Sequence, residues 1–147
     1  MPSEKYTLPK FLIGKCSEPE YLYWLSRKAA AHVRRDKKRG NKNAVVEKYK
    51  TAMHQAVIES DGLDAYTGLP LRWDLISKYD NGKAQEGKHV YKKSFSDLPT
   101  VDHLNDNRGE LRFKICSWKV NDSKSDLTLE EFVDLCRAIL KFNKRKA

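Results

Sequence analysis

Val101-Asp102-His103 sets a carboxylate and an imidazole side by side, and Asn121 and Lys124 follow farther along the chain. These are the side chains that a one-metal phosphodiester hydrolysis uses. Breaking that bond needs an attacking water, neutralisation of charge at phosphorus and help for the departing oxygen. An imidazole titrates near neutral pH and can take a proton from water, which suits His103 to the first task. A carboxylate oxygen from Asp102 and an amide oxygen from Asn121, completed by water, describe a site for Mg²⁺ or Mn²⁺ rather than Zn²⁺. Neighbours on a regular strand point to opposite faces, so metal contact by both Asp102 and His103 calls for a local bulge.

Singly, each residue has a plain explanation. An Asp-His pair can be a hydrogen-bonded surface pair, and an Asn can cap or solvate a helical turn. The order of the elements around them is more specific. Leu98–Leu104 alternates in places and carries Pro99 at its start, as an edge strand can. A turn-rich stretch leads to Leu111–Ile115, which alternates apolar and basic residues like a half-buried strand. Trp118, Val120 and Asn121 suit a short helix ending near Asp126. Thr128 and Glu131 have the spacing of a capping box. They open a terminal helix expected to turn Leu129, Phe132, Val133, Cys136, Ile139 and Leu140 inward, with a fraying basic tail over Lys141–Lys146.

Ahead of this region two helices are legible. Ser17-Glu18-Pro19-Glu20 combines a capping box with a proline in the first turn, and Leu22, Leu25, Ala29 and Val33 follow as a buried stripe until Gly40. A second helix runs from about Ala44 to Ser60 and stops at Asp61-Gly62, giving a basic antiparallel hairpin. Tyr66-Thr67-Gly68-Leu69-Pro70-Leu71 reads as a short strand and turn, and 80–87 as a polar loop. Tyr21, Tyr23 and Trp24 could stack on bases but read as core, and His32 and His54 as packing or surface residues. The expected organisation is a basic helical region over 1–62 and the site-bearing region over 63–147.

Val101-Asp102-His103, Phe113-Lys114-Ile115-Cys116 and Asn121-Asp122-Ser123-Lys124 together resemble the HNH nucleases of the His-Me finger superfamily, and Tyr66-Thr67-Gly68 resembles the segment that precedes their motif. The resemblance covers roughly residues 64–126. It implies an α+β fold, with a ββα-metal finger core packed against the helical hairpin and a C-terminal helix. It also implies His103 as general base, with Asp102 and Asn121 as ligands of one divalent cation; many members carry histidine in place of Asn121. Lys124 would close the motif, and Asn107, chosen over Asn105, would tie the loop between the strands. The cysteine pairs that often hold a structural zinc in this family are missing, and Asp64 stands near where a first cysteine is common. No structural zinc is expected, and Phe113, Ile115, Trp118 and the C-terminal helix would hold the finger instead.

Charge agrees with a polyanionic partner. The net charge is +9; residues 1–60 hold thirteen Lys/Arg against six Asp/Glu, whereas residues 100–140 hold six against eight. The positive charge therefore flanks a slightly acidic candidate site. Arg34, Arg35, Lys37, Lys38 and Arg39 would grip DNA phosphates, while His89 with Lys88 and Lys92 reads either as exposed loop or as a further phosphate contact. RNA stays open, because nothing identifies a reader of the 2′-OH. Three scattered cysteines, Cys16, Cys116 and Cys136, argue against a disulfide framework and read as reduced, mostly buried thiols of a cytoplasmic protein. No apolar run is long enough to cross a membrane, and no secretory signal is visible. Two functions remain, a metal-dependent DNA endonuclease and a non-catalytic nucleic-acid-binding protein on the same scaffold; a homodimer stays open.

Overall fold

Ser17 caps the first helix as its spacing predicts. Its Oγ accepts from the Glu20 amide and Glu20 Oε1 accepts from the Ser17 amide, satisfying two donors that a helix start leaves orphaned. The computed structural model describes residues 4–78, 93–104 and 111–146. Its regular elements are α1 (Glu18–Lys38), α2 (Val46–Ser60), β1 (Pro99–His103), β2 (Phe113–Ser117), α3 (Trp118–Lys124) and α4 (Leu129–Lys146), so the fold mixes helix and sheet. No helix among the described residues is long and apolar enough to cross a membrane.

The two helices of the N-terminal part run antiparallel. Tyr49 at the start of α2 meets Asp36 near the end of α1, and His54 farther along α2 meets Tyr21 near the start of α1. Asp61 in the left-handed region and Gly62 (φ +82°) end α2. A side chain at Gly62 would meet the Phe11 ring at 3.1 Å, so the glycine serves packing as well as the turn.

β1 and β2 pair antiparallel in regular register, Asp102 opposite Lys114 and His103 opposite Phe113. No bulge brings Asp102 and His103 to one face of the strand. β2 begins later than the alternation of Leu111–Ile115 suggests and continues to Ser117, whose hydroxyl caps α3. Leu63 and Pro70 form only an isolated bridge, where a short strand is expected from the sequence. A single buried cluster draws Tyr21, Leu25 and Val33 from α1, Met53 and Val57 from α2, and Val101 and Ile115 from the strands.

The terminal helix departs most from its sequence pattern. Thr128 and Glu131 form the expected capping box, and the helix continues through the basic tail to Lys146. Its apolar stripe, however, is covered only in part, at the half-buried Phe132 and Val133. Leu129, Ile139 and Leu140 are 45%, 55% and 56% exposed, and Cys136 is exposed as well. Periodicity fixes which residues share a face but not whether the rest of the chain reaches that face. The cysteines differ accordingly; all are free, with Cys116 buried and Cys16 half-buried.

Candidate active site

One face of α1 tracks β1 residue by residue. Trp24 Nε1 lies 3.4 Å from the Pro99 carbonyl, and Lys28 Nζ donates to Thr100 Oγ1 at 3.1 Å. The His32 ring lies 4.2 Å from that of His103, and Asp36 Oδ1 approaches His103 Nδ1 at 3.5 Å. The spacing of four along α1 keeps these side chains on a common face, so the helix forms a wall of the site. Asp36 is in turn held by the Tyr49 hydroxyl, which donates to its Oδ2 at 2.5 Å.

His103 is therefore enclosed. Its side chain is 7% exposed, and the Phe113 ring closes a second side at 5.2 Å. Both ring nitrogens are buried without a hydrogen-bond partner among the described residues, as is His32 Nδ1. Buried polar atoms left in that state are uncommon in folded proteins. Burial holds the His103 pKa below its ordinary value. Arg35 and Arg39 push it the same way, against Asp36 and Asp102. His32 is depressed further, to about 3, by burial and then by His103, Arg35 and Lys28; a bond to the Val101 backbone opposes the shift. Both imidazoles are neutral at neutral pH.

On the opposite face of β1, Asp102 is buried in a different company. The Tyr66 hydroxyl donates to its Oδ2 at 2.5 Å, and Lys124 Nζ lies 3.1 Å from the same oxygen, with the lysine itself 6% exposed. Neither contact engages Oδ1. Burial and then the Asp102 carboxylate hold the Tyr66 phenol protonated. Tyr66 is placed by a second buried carboxylate. Asp64 Oδ1 accepts the amides of Tyr66 (2.7 Å) and Thr67 (3.1 Å), and its Oδ2 accepts the Ser117 amide at 2.8 Å. The Ala65 amide also donates to the Ile115 carbonyl at 2.8 Å, docking the turn on β2. Asp64 thus ties the 64–67 turn to the junction of β2 and α3, where the sequence suggested only a missing cysteine.

Asp102, His103 and Lys124 line one cleft of about 640 Å³, together with Tyr66, Arg35 and Arg39. Of the cations expected on α1, Arg35 and Arg39 reach this cleft, whereas Arg34, Lys37 and Lys38 are exposed elsewhere on the helix. Asn121 is half-buried on α3, one turn before Lys124 and outside the cleft lining; its backbone carbonyl accepts from the Ser125 amide at 3.0 Å. Asn107, Lys88, His89 and Lys92 lie outside the described residues. Among the described residues no group of three or more His, Cys, Asp or Glu side chains gathers to hold a metal. Asp102 Oδ1, engaged by neither Tyr66 nor Lys124, is an oxygen donor that suits a hard cation keeping most of its water, while the Asn121 amide is not among the groups that line this cleft.

Sequence reasoning missed His32, Asp36 and Asp64. Asp36 carried a signal, as the one acidic residue inside the basic run 34–39 and a continuation of the buried stripe Leu25, Ala29, Val33. The core also replaces two expected supports. Phe113 and Ile115 are buried as anticipated, but Trp118 is only half-buried and α4 contributes none of its residues to the core, so the Asp64 bonds tie the turn instead.

The chain matches no protein-family model, and comparison with curated proteins and with solved structures finds no significant match.

Proposed function

We propose that the protein is a divalent-cation-dependent endonuclease of the HNH type, hydrolysing DNA on a ββα-metal core made of β1, β2 and α3. The observation that carries this reading is a neutral imidazole whose ring nitrogens have no hydrogen-bond partner among the described residues, with Asp36 Oδ1 3.5 Å from Nδ1, set in the wall of a cleft that also holds Arg35, Arg39 and the Asp102–Lys124 pair. With Asp36 beside Nδ1, the ring proton belongs on that nitrogen, and Nε2 is the atom left to take a proton from water. Arg35 and Arg39 present planar forks that match phosphate oxygens, orienting the scissile group. Asp102 and Asn121 would hold a Mg²⁺ or Mn²⁺ ion, which when bound supplies charge neutralisation at the phosphate. Lys124, 3.1 Å from Asp102 Oδ2, supplies its counter-charge.

A second reading, a nucleic-acid-binding protein without catalysis, is favoured by two features. The His103 side chain is only 7% exposed, and Asp102 already has a counter-charge in Lys124. Supercoiled plasmid incubated with Mg²⁺ or Mn²⁺, with and without EDTA, separates the two. Wild type is expected to nick or linearise the plasmid only with the metal. The His103→Ala variant should lose at least about a hundredfold in rate while keeping its circular dichroism and DNA affinity. Equal cutting by His103→Ala removes His103 from the reaction, and metal-independent binding without cutting by wild type establishes the second reading. A single-stranded RNA arm reads the sugar preference in the same assay.

A further inference from the structure

The stripe Leu129, Phe132, Val133, Cys136, Ile139 and Leu140 runs the length of α4 at the three- and four-residue spacing of a helix-packing seam. Leu129, Ile139 and Leu140 are about half exposed, and Phe132 and Val133 are half-buried. Among the described residues no element packs closely along this face. An apolar stripe of this length is unfavourable in water.

Charge along the same helix indicates what covers it. The acidic residues Glu130, Glu131 and Asp134 all fall in the first third of α4, whereas Arg137, Lys141, Lys144 and Arg145 follow. Such a helix repels a parallel copy of itself and attracts an antiparallel one. An antiparallel pair centred on Cys136 sets Leu129 opposite Asn143 and Phe132 opposite Leu140, and brings Glu130 beside the turn carrying Lys141 and Lys144 of the other copy. That arrangement is isologous and closes on itself, as two-fold interfaces do. We propose that α4 is a self-complementary dimerisation helix whose partner is the antiparallel α4 of a second copy of this chain. The pairing does not depend on the chemistry of the cleft, and its test reads mass rather than cleavage.

Sedimentation equilibrium of the full chain, from about 1 to 100 µM, is expected to give twice the 17.1 kDa chain mass. The Leu140→Asp variant should weaken the dimer at least about tenfold, as loss of an apolar anchor does, with its circular dichroism kept. Reversal of Glu130 and Glu131 to Lys should also dissociate it. Adding Lys141→Glu and Lys144→Glu to that variant should restore the dimer, a rescue that only an antiparallel copy of the same helix provides. A short bis-maleimide should join two chains through Cys136, and Cys136→Ser should abolish the product. A wild-type chain that stays monomeric across this range overturns the proposal, whether α4 then binds anionic phospholipid vesicles or becomes protected against its own chain. A dimer that survives Leu140→Asp, or charge reversal without rescue, overturns it equally.

Discussion

Asp64 and Asp102 are both buried carboxylates, joined through Tyr66, yet they are satisfied by opposite kinds of partner. Asp64 accepts three backbone amides, from Tyr66, Thr67 and Ser117. Asp102 receives a phenol and an ammonium, both on side chains and both on one oxygen. A carboxylate surrounded by backbone amides needs no counter-ion, and its partners cannot leave without unfolding the turn. A carboxylate neutralised by a lysine can exchange that cation for another when the side chain swings away. The first arrangement is architecture, and the second leaves one carboxylate oxygen open to another partner. The chain from Asp64 through Tyr66 to Asp102 links the carboxylate that holds the turn to the one that lines the cleft.

The comparison breaks most visibly at Asp64. Replacing it with Ala leaves three amides without their acceptor, one of them buried at Ser117. The expected cost is on the order of 3 kcal/mol or more, or roughly 10 °C in melting temperature. Thermal unfolding followed by circular dichroism measures it, and a loss below about 1 kcal/mol would remove Asp64 from its structural role. Asp102→Ala is expected to cost about 3 kcal/mol as well, but for a different reason, because it strands the buried Lys124 ammonium. Adding Lys124→Met should recover most of that stability, since an apolar pair of similar size can replace a buried ion pair. No second substitution should rescue Asp64→Ala, whose lost partners are main chain. If Lys124→Met fails to rescue Asp102→Ala in chemical denaturation, the two carboxylates are not different in kind.

Local chemistry was legible in the sequence wherever it repeated a local rule. The Ser17 and Thr128 capping boxes, the stop at Asp61-Gly62 and the start of α3 after Cys116 all depend on neighbours within a turn. Asp102, His103 and Lys124 were identifiable by type and order, and they share a cleft. Relations across the chain were less legible. That α1 walls the site depends on Lys28, His32 and Asp36 meeting residues far along in sequence at Thr100 and His103. Helical spacing alone shows that these three share a face without showing what faces them. The Asp64 bond to the Ser117 amide spans a similar distance. The exposed stripe of α4 misled for the same reason, because a pattern that seeks a partner does not say which molecule supplies it.

The two cleft arginines give a smaller, graded effect. Arg35 and Arg39 line the cleft, whereas Arg34 and Lys38 stand on the exposed part of the same helix. Binding measured by fluorescence anisotropy across a salt series should lose affinity for Arg35→Gln with Arg39→Gln, and the slope of log K against log salt should become shallower by about two. Arg34→Gln with Lys38→Gln should change the slope by less. Equal changes for both pairs would place the nucleic acid along the whole helix rather than in the cleft, and with it the distinction between the Asp102 side of the site and its surroundings.

His32 gives the smallest effect at neutral pH and one that grows only in acid. Burial, then the neighbouring His103, Arg35 and Lys28, depress its pKa to about 3, so the folded protein holds it neutral where the unfolded chain would protonate it. The unfolded state therefore takes up more protons below the ordinary histidine value of about 6.5, and stability falls as pH drops through that range. The loss from this one group reaches about 2 kcal/mol near pH 5 and continues until the folded value is passed. His103, lowered in the same direction, adds to it. His32→Phe keeps a ring against His103 and Phe113 but removes the titration. Urea denaturation at about pH 7 and pH 5 should show a smaller drop for this variant than for wild type. An undiminished drop would mean that the acid sensitivity belongs to His103 and the carboxylates around it, on the chemical side of the comparison rather than in the α1 wall.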